Sequence, residues 1–388
     1  MREGWIRQKL GDVISLEYGK PLPPDQRRTD AGFPAYGANG IKCFAASSYC
    51  DNPSIIVGRK GTAGAVNFVE GGFWPLDVTY YVKLDSNQHD LRFLFYLLSA
   101  LDLPSLATGV KPGINRNVVY AIERYFPPLP EQKRIVAILD EAFAGIATVV
   151  ANTEKNLANA RELFESYLNG VFSQRGEGWS VKAVGEIADH CLGKMLDKRK
   201  NKGVPRPYLR NLNVQWFEID ITDMLEMRIE DDEVERYQVK QGDLLICEGG
   251  YPGRAAIWRD SEPIFFQKAL HRVRCHEPVY NRWLLYYLYL ANATGALRPY
   301  FTGAGIQHFT GKALKEFRLP VAPSEEVHAI VAGMEELLEE TQRLESIYQK
   351  KLTSLAELKQ SLLQKAFSGE LTTDKEVSNA IHNKEEVA

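Results

Sequence analysis

Lysine and arginine recur in this sequence beside glycine and proline, where turns carry side chains out on loops. The first half has Gly19-Lys20, Arg27-Arg28, Gly58-Arg59-Lys60-Gly61, and Val110-Lys111-Pro112-Gly113 followed by Asn115-Arg116. The second half has Gly193-Lys194, Arg199-Lys200, Leu209-Arg210-Asn211, Gly253-Arg254, and Gln307-His308 followed by Gly311-Lys312. Loop-borne ammonium and guanidinium groups can meet phosphates. Arg, Asn and Gln can also form paired hydrogen bonds to a base edge. Any one such residue is more often a solvated loop charge. The whole set on matching loops points to DNA contact.

Residues for bond-making chemistry are not arranged for it. Asp51-Asn52-Pro53-Ser54 lacks the second proline and the aromatic with which a base methyltransferase holds a flipped base. Gly58, Gly61 and Gly64 have the wrong spacing for a dinucleotide loop, and no GxxxxGK[ST] run offers a phosphate cradle for ATP. Glu357-Leu358-Lys359 matches a nuclease fragment but lies in a regular helical pattern. His271, Cys275 and His276 are too few for zinc and sit in a strand-like run. The expectation is no catalytic residue, no metal and no cofactor in this chain.

The elements that carry these loops occur twice. Gly4, Trp5, Gly11, Gly19 and Lys20 return as Gly178, Trp179, Gly185, Gly193 and Lys194, at a constant offset of 174. The echo continues in order. RFLFYLL (Arg92–Leu98) answers RWLLYYL (Arg282–Leu288), Thr108-Gly109 answers Thr302-Gly303, and Pro127 with Pro130 answers Pro320 with Pro323. An ordered series of this kind is a duplicated unit. Each half opens with short apolar runs and glycine turns, such as Ser54–Val57 and Asp243–Cys247. These read as strands with one helix near Leu91–Leu101 or Arg282–Leu290. The fold class is α+β.

Each half closes differently. Glu131–Phe172 and Glu325–Phe367 contain little glycine and no proline, and their apolar residues step by three, four and seven. The stripe residues expected to pack are Ile135, Leu139, Ile146, Val149 and Phe164 on the first helix. On the second they are Leu337, Leu344, Tyr348, Leu355 and Leu362. Proline-rich punctuation opens each helix, and Ser324 is placed as an N-cap. Duplication predicts that the helices pair as an antiparallel coiled coil between the two globular parts, in a pseudo-two-fold arrangement.

Composition sets the outer bounds. The 388 residues carry 47 Lys and Arg against 50 Asp and Glu, with 45% hydrophobic residues, which excludes a disordered or collagenous chain. Residues 1–128 hold 14 basic against 12 acidic residues and 178–322 hold 21 against 18. The helical segments are acidic, at 5 against 7 for 129–177 and 7 against 13 for 323–388. Five cysteines without a CxxC pair fit a reducing cytoplasm. No unbroken apolar run reaches the ~18 residues of a bilayer span, so no membrane is expected.

PPLPEQKRIVAILDEA (Pro127–Ala142) resembles the central conserved region of the specificity subunits of Type I restriction-modification enzymes. LKQSLLQKAFSGEL (Leu358–Leu371) resembles their distal conserved region. TGVKPGINRNVV (Thr108–Val119) and TGAGIQHFTGK (Thr302–Lys312) resemble the loops closing each target recognition domain. The likeness reaches from the start to about Leu371. It departs at Pro323-Ser324-Glu325-Glu326, where Glu-Gln is usual, and at Phe172-Ser173-Gln174-Arg175, where Phe-Ser-Gly-Glu-Leu is usual.

The resemblance implies target recognition domains at 1–128 and 178–322, conserved helices at 129–177 and 323–372, and a tail at 373–388. Each recognition domain would bind one half of a bipartite site on double-stranded DNA, and the helices would set the spacer. Such a chain does no chemistry. It recruits two modification subunits, which use S-adenosylmethionine to methylate adenine, and restriction subunits, which use ATP and Mg2+. Two rival readings stay open on the residues alone: a stand-alone methyltransferase or nuclease with degenerate motifs, and a coiled-coil scaffold that binds only protein.

Overall fold

The computed structural model describes residues 4–174, 176–197, 199 and 201–372. The chain divides into two units: residues 1–153 with 349–388, and residues 154–348.

Unit 1 contains β1 (Ile6–Lys9), α1 (Leu10–Val13), β2 (Ile14–Tyr18), β3 (Arg27–Arg28), β4 (Phe33–Gly37), β5 (Gly40–Ala45) and β6 (Ser54–Gly58). It continues through β7 (Val66–Val69), β8 (Trp74–Pro75), β9 (Thr79–Leu84), α2 (Leu91–Ala100), α3 (Arg116–Tyr120) and β10 (Glu123–Phe126) into α4 (Leu129–Ser173). One antiparallel sheet has the order β2-β9-β6-β7 and a second the order β3-β5-β4-β8, while β1 pairs with β10. β6 is buried along its whole length, which is why it reads as an unbroken apolar run rather than an alternating one. Asp90 caps α2 by accepting from the backbone N–H groups of Arg92 and Phe93.

Unit 2 repeats the plan. It contains β11 (Ser180–Ala183), α5 (Val184–Ile187), β12 (Ala188–Leu192), β13 (Val204–Leu209), β14 (Leu225–Ile229), α6 (Val234–Tyr237), β15 (Gln238–Val239) and β16 (Leu244–Cys247). Then come β17 (Ala255–Ile257), β18 (Ile264–Phe266), β19 (Leu270–Cys275), α7 (Val279–Ala293), α8 (Gly311–Glu316), β20 (Arg318–Val321) and α9 (Ser324–Ser368). The first sheet runs β12-β19-β16-β17 and the second β14-β13-β18-β15, and β11 pairs with β20. Strand for strand, the first sheet matches β2-β9-β6-β7. The repeat expected from spaced glycines and tryptophans is therefore a repeat of topology.

The two long helices begin and end within two residues of the expected limits. Ser324 opens α9 as its first residue rather than standing outside as the cap. α7 starts three residues before Arg282, because Val279 and Tyr280 already turn into the core.

Within each unit the two long helices run antiparallel. In unit 1, Ile135 and Leu139 near the start of α4 share one core with Leu363 and Ala366 near the end of α9. In unit 2, Phe164, Leu168 and Phe172 near the end of α4 pack with Val327, Val331, Met334 and Leu338 near the start of α9. Arg161 and Glu345 close an ion pair at 2.6 Å there. Of the expected stripe, Ile135, Leu139 and Phe164 are buried, and Leu337 and Leu362 pack against the cores. Ile146, Val149, Leu344, Tyr348 and Leu355 are only half-buried. The helix ends are thus built into the globular cores, while mid-helix burial falls on Thr153 and Thr341 rather than on these stripe residues.

α4 also departs from the bilayer expectation. It contains an 18-residue stretch of mean hydropathy 1.7, of which 11% is buried, so it is long and apolar enough to cross a membrane by length and composition. The stretch is not an unbroken apolar run: it averages apolar residues with a few polar ones. Asp140 on the same helix is held by Arg92, at 3.0 Å, and by the Tyr96 hydroxyl.

Candidate nucleic-acid interface

In unit 1 the root of one loop gathers the cations. Thr108 and Gly113 exchange two backbone hydrogen bonds, at 3.0 and 3.1 Å, and close the loop. Gly113 also bridges to Lys60, and the Ile114 N–H donates to the Arg59 carbonyl at 2.9 Å. These pairings bring Arg59, Lys60, Lys111, Asn115 and Arg116 together from two stretches about fifty residues apart. Lys60, Lys111 and Asn115 are exposed, and Asn115 caps α3 by accepting from the Asn117 N–H.

The two guanidiniums are held by one tyrosine. Arg59 and Arg116 lie 5.1 and 5.0 Å from the Tyr18 ring centre, within cation–π range. Arg116 also donates to the Leu16 carbonyl, and the Leu16 N–H donates to the Tyr120 hydroxyl. β2 is an edge strand, and these two side chains cover part of its free backbone edge. Among the described residues no carboxylate forms an ion pair with either arginine. Two like charges fixed side by side without a carboxylate suit an incoming phosphate. Lys20, Arg27 and Arg28 are exposed but belong with the second sheet. Lys20 bonds through its N–H to Pro75 of β8, and the arginines form β3.

Unit 2 builds the matching place with less free charge. Thr302 and His308 close the corresponding loop with hydrogen bonds of 2.9 and 2.8 Å, and His308 bridges to Gly249. Asn211 donates through Nδ2 to the Gly249 carbonyl at 3.2 Å, and Arg254 donates to the Asn211 carbonyl at 2.9 Å. Gly250 has a φ of +78°, and a Cβ there would lie 2.4 Å from Asn211 Nδ2, so only glycine lets this corner close. Arg254 stacks over Tyr251 at 3.9 Å, and Tyr251 is itself exposed. Gln307, His308 and Lys312 are exposed on the same stretch.

Four expected contacts need correction or comment. Lys194 is 5% exposed, and its ammonium is taken by Glu230 and Glu233. A buried, doubly paired lysine cannot also reach a phosphate. Glu230 is held down to about 2 by its hydrogen bond with Glu233 first, then by Lys194. Arg210 is bound to the Asp223 carboxylate at 2.7 Å and to its carbonyl at 2.6 Å, so it braces its own loop. Arg199 is exposed, and Lys200 lies outside the described residues. Tyr18 and Tyr251, which stack on the arginines, and Tyr80 and His271, which bond the loop carbonyls of Ile114 and Phe309, have no motif in the sequence that marks them. Only Tyr18, next to Gly19-Lys20, carried any local signal.

Burial drives the Cys275 thiol up to about 12. Among the described residues no group of three or more His, Cys, Asp or Glu is placed to hold a metal ion.

Comparison with known proteins agrees with the repeated architecture. The Type I restriction enzyme EcoBI specificity subunit of Escherichia coli is 22% identical over 425 residues, which cover 98% of this chain and 89% of that protein. The EcoprrI specificity subunit of Escherichia coli is 21% identical over 169 residues, 40% of this chain, and the match spans only 42% of that protein. The fold matches a chain of a type I R-M system solved to explain its complex assembly and conformational transition. That match has a TM-score of 0.74 and 18% identity, and covers 96% of this chain and 99% of the other. Residues 2–157 and 176–353 match the family model described as the Type I restriction modification DNA specificity domain. With two such domains along its length, the chain belongs to the Type I restriction-modification DNA specificity family.

Proposed function

We propose that this chain is the DNA specificity subunit of a Type I restriction-modification enzyme and performs no chemistry of its own. Each unit binds one half of a bipartite target on double-stranded DNA. The recognition domains are taken as 1–128 and 178–322, and the helical segments 129–177 and 323–372 set the unspecified spacer and dock two modification subunits. The tail, 373–388, lies outside the described residues. The modification subunits bind S-adenosylmethionine and methylate adenine. Restriction subunits, which use ATP and Mg2+, complete the cytoplasmic assembly.

The observation that carries this reading is the repetition of one sheet order in both units, with cation-bearing loops at the same place in each and different residues on them. Equal scaffolds with unequal loops are what two different half-sites require. The contact set proposed for unit 1 is Arg59, Lys60, Lys111, Asn115 and Arg116 with Tyr18, and more peripherally Lys20, Arg27 and Arg28. For unit 2 it is Asn211, Arg254, Gln307, His308 and Lys312, with Arg199 and Lys200. Phosphate contacts supply much of the affinity and make it fall with salt. The test is to assemble the chain with its modification subunit and follow adenine methylation on DNA libraries. Methylation confined to one bipartite site supports the reading, and methylation indifferent to sequence overturns it.

A further inference from the structure

The recognition loops of the two units are fastened in the same way by chemically different side chains. In unit 1 the loop root is Ile114, which is 3% exposed. Its N–H donates to the carbonyl of Arg59, the residue after β6, and its carbonyl accepts from the Tyr80 hydroxyl at 3.1 Å. In unit 2 the loop root is Phe309, which is fully buried. Its N–H donates to the carbonyl of Glu248, the residue after β16, at 2.7 Å, and its carbonyl lies 3.0 Å from His271 Nε2.

Tyr80 and His271 occupy one structural position. Each is the second residue of its strand, β9 or β19. Tyr80 pairs with Tyr18 of β2 and Val57 of β6, and His271 pairs with Leu192 of β12 and Ile246 of β16. Both are almost fully buried. A carbonyl can only accept, so His271 carries its proton on Nε2, and among the described residues Nδ1 is left buried without a partner. Burying an imidazole with one nitrogen unsatisfied carries a desolvation cost, which its hydrogen bond to the Phe309 carbonyl offsets only in part. The loops so fastened end in exposed tips: Val110 is fully exposed and Ile306 is 73% exposed.

We infer that Tyr80 and His271 are equivalent latches, positioning residues that set where each recognition loop meets DNA. The inference rests on the reading of these loops as the DNA-reading elements. Each latch is local to its unit, so each governs one half-site. Around His271 stand His190 on β12, with ring centres 6.0 Å apart, and the α8 start at Gly311, whose backbone bonds His190. Lys315 of α8 and Asp189 of β12 act on His190 with opposite signs.

The test uses the full chain in two measurements. Hydrogen exchange on the chain alone reads the latch. His271→Phe should speed exchange at the Thr302 and His308 amides by about tenfold and leave Thr108 and Gly113 unchanged, and Tyr80→Phe should do the reverse. His271→Gln, which keeps a donor near Nε2, should restore most of the protection. Methylation by the assembly then reads specificity. His271→Phe should lose discrimination at one half-site by about tenfold, and Tyr80→Phe at the other. Unchanged exchange in both variants overturns the latch whatever happens on DNA. Equal loss at both half-sites from either variant also overturns it, since that is a global effect. Sequence-blind methylation by the unaltered chain, with the exchange pattern as expected, would instead defeat the reading of the loops and leave the latch standing as a structural fact.

Discussion

Charge on a loop is not the same as charge available to a ligand. Among the described residues Arg59 and Arg116 share the Tyr18 ring with no carboxylate ion pair, whereas Lys194 and Arg210 are bound to acidic neighbours within their own unit. Replacing Arg59 by Ala should weaken DNA binding by the assembly at low salt. It should also lower the slope of log affinity against log salt by about 0.9, the value for one phosphate contact. Lys194→Ala should leave that slope unaltered. Titrating binding from low to moderate salt separates the two.

A second residue-level expectation concerns acid. Burial drives the His271 imidazole down to about 4. In the unfolded chain it titrates near 6.5. The folded form thus binds fewer protons between these values, and stability is lost as pH falls from about 6.5 through 4. The loss is on the order of 3 kcal/mol once both states are protonated. Urea unfolding of the native chain and of His271→Gln across this range should show a steeper pH slope for the native chain. Parallel curves would remove His271 as the source.

At the scale of elements, the long helices draw their stability from the globular cores at their ends. Phe164 of α4 is 2% exposed and touches the rings of Phe217, Tyr286 and Tyr289. Phe164→Ala should destabilise unit 2 by about 3–5 kcal/mol, as for other large core aromatics. Leu344 and Leu355, half-buried mid-helix, should cost much less when truncated. Denaturant unfolding of the three variants orders them.

The helices were legible because a stripe repeating every three to four residues over some forty positions has few other interpretations. The duplication was legible because glycines and tryptophans mark turns and corners that both copies need. Which of the candidate side chains stand free of acidic partners was only half legible. Sequence shows that Lys194 follows a glycine, but not that Glu230 and Glu233, over thirty residues later, fold back onto it. The equivalence of Tyr80 and His271 was hidden for a related reason. The position is fixed by strand register, and a phenol and an imidazole share no sequence signal beyond an ability to donate.

At the scale of the molecule, two units of one topology carry different loops, and each long helix contributes to both units. If the helices set the spacer, adding about four residues, roughly one helical turn, at an equivalent place in each should change the number of unspecified base pairs. Both half-site sequences should stay as they were. An unaltered spacer would separate the helices from that role.

The central claim is that one chain reads two separate half-sites, one with each unit. The most direct measurement is to map methylated adenines across a genome by single-molecule sequencing, in cells expressing this chain with its modification subunit. The account predicts one asymmetric motif of two short specified blocks divided by a fixed unspecified gap. A single contiguous motif, or adenines methylated without regard to sequence, would contradict it.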